Sequence, residues 1–408
     1  MMNAQGNRGW AAVMVAAILV MLGPSSVPTH AQGVKVLYSF TGGTDGAYPY
    51  ASLVRDAAGN LYGTTSEGGD FACSSAGCGT VFKVDASGNE TVLYSFRGGS
   101  DGAYPQASLM RDGAGNLYGT TSAGGTSKNG TVFKVDSTGA ERVLYSFRGY
   151  PSDGADPRGG LIKDSAGNLY GTTSLGGTTP CNPDTGCGTV FKLSASVNET
   201  VLHSFTGVPP DGASPFDGLI LDWAGNLYGT TDGGGAYGFG TAFKLDTAGN
   251  QTVLHSFSEG SDGGLPVGGL VRDAAGNLYG TTSMYGSSFI PGGTAFRLDA
   301  AGTLTVLHTF IGGTDGRNPY DGLVLDAAGN VYGTTAYGGD MSCNYPTGCG
   351  AVFQLSPTGK ETLVGFNAAD GANPWAGLVR DSAGNLYGTT VNGGAYGYGV
   401  VFELSLHR

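Results

Sequence analysis

Charge is scarce in this chain, and positive charge is scarcest. Of 408 residues, 20 are Lys or Arg and 32 are Asp or Glu, so 13% are charged and the formal net charge is -12. An acidic surface opposes binding to nucleic acid or anionic lipid, both of which call for a basic face. Long apolar runs are missing after residue 31, so nothing beyond that point reads as a membrane span. No stretch of the same region carries the 3.6-residue apolar period of an amphipathic helix. G-x-S-x-G, H-E-x-x-H, P-loop and Rossmann signatures are also lacking in any suitable context. The reading therefore leans away from an enzyme and assigns no catalytic residue, metal site or cofactor.

The first thirty residues have a different character. Arg8 supplies a positive start, and Trp10 to Leu22 is continuously apolar. Thr29-His30-Ala31 then offers small residues for cleavage. The apolar run is shorter than the roughly 20 residues of a transmembrane helix and fits a secretory signal. The division expected is a signal peptide over 1–31 and one folded unit over 32–408, secreted or held in the periplasm or cell envelope.

Glycine is abundant, at 76 residues, and it recurs at fixed places. The motif GNLYGTT ends at Thr65, Thr121, Thr173, Thr231, Thr282, Thr335 (as GNVYGTT) and Thr390. Its tyrosines are spaced by 51 to 58 residues, a period that belongs to propeller blades. Each repeat reads as four short strands. In the first, strand A is Ser52–Asp56, strand B is the LYGTT segment, strand C is Thr80–Asp85 and strand D is Thr91–Phe96. Asp/Ser-x-Gly-Asn turns join A to B and C to D, since Gly and Asn tolerate positive φ. Val36–Phe40 is a D strand with no blade before it, and Val400–Leu404 is a C strand with no D strand after it. Pairing the two completes a seventh blade and removes an exposed edge. The expected fold is an all-β, seven-bladed β-propeller of four-stranded antiparallel blades, the last blade closed by the N-terminal strand.

The recurring VLYSF-x-GG-x-DGAxP, GLVRD-x-AGNLYGTT and GTVFKVD-x-xG segments resemble the GloVer (Gloeobacter–Verrucomicrobia) repeat of exported bacterial proteins, over about residues 34 to 406. The resemblance implies a tandem-repeat propeller and no particular activity. Relatives often carry a surface-sorting tail, a feature that Leu404–Arg408 does not match.

Six cysteines form three close pairs, Cys73/Cys78, Cys181/Cys187 and Cys343/Cys349, each in a B–C loop. In an exported chain an even count of this kind points to disulfides. His203, His255 and His308 fill a strand D position that is Tyr38, Tyr94 and Tyr145 elsewhere, which marks a packing residue. Asp-Gly precedes strand A in all seven repeats (Asp45, Asp101, Asp153, Asp211, Asp262, Asp315, Asp370) and reads as a turn in which Asp caps backbone amides. A second series at the A–B turn, beginning with Asp56, reads the same way.

The functional face is expected where the B–C and D–A loops emerge. The B–C loops carry aromatics, including Phe71, Tyr237, Phe239, Tyr285, Phe289, Tyr337, Tyr345, Tyr396 and Tyr398. After the Pro of each D–A loop one position varies: Tyr50, Gln106, Arg158, Phe216, Val267, Tyr320 and Trp375. These seven should ring the channel mouth. Asp217 and Asp321 follow two of them and break the Ala/Gly pattern of the other blades, so they are the candidates for a polar ligand contact or a general acid. The function expected is a monomeric binding module for a glycan or an extracellular protein. The alternatives are a carbohydrate-active lyase or hydrolase with carboxylates at the channel mouth, and a purely structural surface protein.

Overall fold

The computed structural model describes residues 33–178, 181, 185–287, 292–344, 346–359 and 361–406. The expected signal segment, His407, Phe289 and Tyr345 lie outside the described residues. Seven sheets of the expected kind follow one another along the chain. In blade 1, strands A to D are Val54–Arg55, Leu61–Thr65, Thr80–Val84 and Glu90–Ser95, hydrogen-bonded in that order and antiparallel. The C–D pairing carries a bulge between Val81 and Phe82. Blade 7 consists of Val379–Arg380, Leu386–Thr390, Val400–Leu404 and, as its D strand, Lys35–Ser39 from the start of the chain. Val36 faces Phe402 and Ser39 faces Val400, so the ends of the folded chain close the ring as expected.

Strand A is two residues long where five were expected. The amide of Ser52 donates to Ser108 Oγ of the next blade and not to strand B, because this segment bends inward to line the channel. Short bridges also join the D–A and B–C loops in every blade, as in Ala47 with Glu67 and Gly154 with Gly176. They place both loops on one face.

The A–B turn shows why the Asp-x-x-Gly-Asn sequence recurs. Asp56 Oδ1 accepts the amides of Ala58 and Asn60, and Gly59 takes φ +89°. Asp56 Oδ2 accepts the Tyr62 hydroxyl at 3.0 Å, and the Arg111 guanidinium of the next blade lies over the Tyr62 ring. These bonds to the charged carboxylate hold Asp56 below its ordinary range, against the opposing effect of its burial.

The core lies between blades. Phe40, at the end of strand D in blade 7, packs edge-on to Phe82 of blade 1 with ring centroids 5.0 Å apart. The same pair recurs at the other six junctions, from Phe96–Phe133 to Phe366–Phe402. Each fully buried ring contributes about 1.5–3 kcal/mol of transfer free energy. The glycine inside LYGTT makes room for this packing: a Cβ on Gly63 would stand 2.6 Å from the Phe82 ring. The following threonine stitches blades together. Thr64, Thr120, Thr172, Thr230, Thr281 and Thr334 each donate to a channel-lining carbonyl of the next blade, and Thr389 completes the circle on Ala51.

Candidate functional site

The inward bend before strand A delivers one side chain per blade to the channel mouth. Tyr50, Gln106, Arg158, Phe216, Val267, Tyr320 and Trp375 line a single cavity of about 330 Å³, together with Asp217 and Asp321. Two further lining residues, Ala51 and Ser108, escaped sequence reasoning. Ser52 and Ser108 did leave a signal, since they stand where the other five repeats have Gly.

The wall of the cavity has two characters. On one side Tyr320 and Trp375 are stacked, with centroids 4.8 Å apart and planes inclined by 29°. Tyr50 meets the Trp375 ring edge-on at 5.5 Å. The blade order puts Arg158 and Phe216 in neighbouring blades, with the guanidinium 5.2 Å from the ring centroid. Arg158 Nε also donates to Asp156 at 2.8 Å, which fixes the fork in place.

The two aspartates belong to blades 4 and 6. Asp217 accepts the amides of its neighbour Gly218 and of Gly269 in blade 5. Asp321 accepts those of Gly322 and of Gly377 in blade 7, and also the Ser52 hydroxyl at 2.8 Å. Blade 5 has Gly268-Gly269 at the intervening position. A Cβ on Gly268 would stand 2.6 Å from the Asp321 backbone, and one on Gly269 would stand 3.0 Å from the Asp217 carboxyl. That bare segment lets the two carboxyls meet. Burial, and then the adjacent charge of Asp321, push the Asp217 carboxyl well above the usual carboxylate range. The Asp217 carboxyl therefore holds its proton more tightly than an ordinary carboxyl does. The pair thus closes the channel wall through four backbone amides while bordering the cavity.

The other sequence candidates fall elsewhere. Phe71, Tyr237, Tyr396 and Tyr398 are exposed and take no part in lining the cavity. Among the B–C loop aromatics, Tyr398 packs on Tyr48, Phe239 on Tyr285, and Tyr337 under Arg317. They brace the D–A loops. Disulfides join Cys73 to Cys78, Cys181 to Cys187 and Cys343 to Cys349. The Asp of each Asp-Gly turn caps the chain as it leaves strand D: Asp45 Oδ2 accepts the Thr41 amide and the Tyr38 hydroxyl. In blades 3 to 5, where histidine replaces the tyrosine, its ring nitrogen takes the hydroxyl's place, as in His255 with Asp262 at 3.0 Å.

Fold and site together define a seven-bladed propeller with a mixed aromatic and acidic cavity at the loop-bearing mouth of its channel. The chain belongs to the Gloeobacter/Verrucomicrobia repeat family, which matches residues 26–182 and 178–344. No curated protein matches the sequence. Among solved structures it is similar to a streptogramin B lyase, with a TM-score of 0.60 and 12% identity, over 92% of this chain and 97% of that one. It is also similar to a luciferin-regenerating enzyme, with a TM-score of 0.48 and 14% identity over 82% and 97% of the two chains. At 12% identity the likeness to the lyase is one of fold alone.

Proposed function

We propose that this protein is an exported binding module whose channel mouth takes a sugar ring of a glycan. One observation carries the reading: the stacked Tyr320–Trp375 pair borders the same cavity as the Asp217–Asp321 pair. Sugar rings present apolar C–H faces beside hydroxyls, and an aromatic shelf next to hydrogen-bonding groups answers both. A volume of about 330 Å³ lies at the small end of ligand pockets, enough for a terminal sugar and too confined for a folded partner. Gln106 and Arg158 add donors from across the cavity. Three disulfides support an oxidising compartment, and among the described residues no helix is long and apolar enough to cross a membrane.

The hydrolase alternative gains no support from the aspartates. Two-carboxylate glycosidases hold their acid and base or nucleophile roughly 5–9.5 Å apart. Here the two carboxyls adjoin one another, and both oxygens of each are occupied by backbone amides. The test is a glycan-array screen with residues 32–408 and with a Trp375→Ala variant. The proposal expects a restricted set of glycans bound by the first and lost by the second. Absence of binding to every glycan would remove it.

A further inference from the structure

The seam between blades 5 and 6 carries a second feature, distinct from the channel mouth. His308 in strand D of blade 5 (Leu304–Thr309), Asp315 in the loop that follows, and Glu361 at the start of strand D of blade 6 (Glu361–Gly365) converge there. His308 Nε2 lies 3.0 Å from Asp315 Oδ1 and 3.6 Å from Glu361 Oε1. One donor atom from each of the three lies within 4.8 Å of the other two. From these distances we infer that His308, Asp315 and Glu361 form a binding site for a divalent transition-metal ion of the zinc class.

Three observations support this beyond the clustering of ligand types. First, the spacing fits a coordination polyhedron. Zinc binds His nitrogen and carboxylate oxygen at about 2.0–2.2 Å, so two ligand atoms at tetrahedral corners stand roughly 3.3–3.6 Å apart. The His308–Glu361 separation of 3.6 Å matches that edge, and the His308–Asp315 separation of 3.0 Å is somewhat shorter. Second, Glu361 Oε1 is buried without a hydrogen-bond partner, as are the equivalent atoms of Glu90, Glu141 and Glu199, but here the group that faces it at 3.6 Å is an imidazole nitrogen and not a tyrosine. A buried acceptor left unpaired is costly, and a cation at the centre of the triangle would satisfy it. Asp315 is oriented by its other oxygen, which accepts the Ile311 amide at 2.7 Å. Backbone support of this kind is what holds a ligating carboxylate in position.

Third, the repeat supplies its own controls. Junctions with a glutamate facing the Asp of the Asp-Gly turn are otherwise built around tyrosine: Tyr38 with Asp45 and Glu90, Tyr94 with Asp101 and Glu141, Tyr145 with Asp153 and Glu199. At the other two histidines the strand D start is not acidic: Gln251 follows His203 and Leu304 follows His255 in the next blade. Among the described residues, an imidazole and both carboxyls coincide only at His308. Three protein ligands and some solvent access leave a fourth position for water. The mixed N,O,O set suits zinc or its neighbours better than calcium, which takes six to eight oxygens. An ion there would tie blade 5 to blade 6 at their outer strands.

The test is a calorimetric titration of the untagged protein, residues 32–408, with Zn²⁺, repeated with Co²⁺ to read the visible absorption of a four-coordinate ion. One equivalent is expected. His308→Tyr installs the residue that three other junctions already carry, so it should fold. It should weaken binding by at least about 100-fold, since even supporting groups around a metal cost 10–100-fold when removed. Glu361→Gln should also weaken it, and His255→Tyr should leave it unchanged. A wild-type protein that takes up no Zn²⁺, or a His308→Tyr variant that binds it as wild type does, would overturn the assignment.

Discussion

Trp375 lies stacked on Tyr320, a residue of the neighbouring blade, with ring centroids 4.8 Å apart. The chain has three tryptophans, and Trp10 falls in the segment expected to be removed on export. Trp223, at the A–B turn of blade 4, is fully exposed. Trp375 is thus the tryptophan that borders the cavity. In a Trp223→Phe variant of residues 32–408, ligand entry should change the emission of Trp375 and lower its quenching by acrylamide. An unchanged spectrum on addition of a ligand that binds by calorimetry would place that ligand elsewhere.

The aspartate pair has a structural duty separable from binding. Asp217→Ala leaves the amides of Gly218 and Gly269 without their acceptor. The expected cost is about 1–3 kcal/mol, as for other buried donors left unpaired. Gly268→Ala should be destabilising as well, because its Cβ would strike the Asp321 backbone. Chemical denaturation of both variants checks this, and a wild-type midpoint in each would contradict the described channel wall.

Three half-buried glutamates set a pH dependence. Burial, and then the Asp of the preceding Asp-Gly turn, push Glu90, Glu141 and Glu199 from 4.5 up to about 7. Their folded values lie above their unfolded ones, so the folded state binds protons more tightly. Their contribution is complete below about pH 4.5 and is lost as pH rises through 7. Blade 4 carries the neutral counterpart, Gln251, at this position. The triple variant Glu90→Gln, Glu141→Gln, Glu199→Gln should melt higher than wild type at pH 8 and similarly at pH 4.5. Equal melting temperatures at pH 8 would refute the linkage.

Ring closure rests on the first strand. Lys35–Ser39 pairs with Val400–Leu404, and Phe40 fills the seam between blades 7 and 1. Deleting residues 34–41 should leave the C strand of blade 7 as an open edge and drive self-association. Size-exclusion chromatography with light scattering should show larger species for the truncated chain. A stable monomer of wild-type melting temperature would argue against closure by this strand.

Much of this was legible in the sequence because the repeat supplies a frame. Seven GNLYGTT copies give the blade count, and the unpaired VLYSF and VVFEL segments give the closure. The residue after each Pro marks the channel ring, since every blade delivers the same position to the same place. What could not be read concerns contacts between repeats. Asp217 and Asp321 occupy equivalent positions two blades apart, and their meeting depends on the bare Gly268-Gly269 between them. His308 reads as a tyrosine substitute within its own repeat. Glu361 reaches it only because strand D of one blade starts beside the Asp-Gly turn that follows the strand D before it. Strand A came out shorter than expected for a related reason: Ser52 bonds to Ser108 of the next blade.

The most direct test of the channel mouth as the binding site is a calorimetric titration of an array-selected glycan into wild type and three single variants, Trp375→Ala, Tyr320→Ala and Asp321→Ala. Phe71→Ala, on an exposed B–C loop, serves as the control. The expected result is a loss of about tenfold or more for Trp375→Ala and Tyr320→Ala, equivalent to roughly 1.4 kcal/mol each. A smaller loss is expected for Asp321→Ala and none for the control, with the fold retained throughout by circular dichroism. Unchanged affinity in all three folded variants would contradict the account.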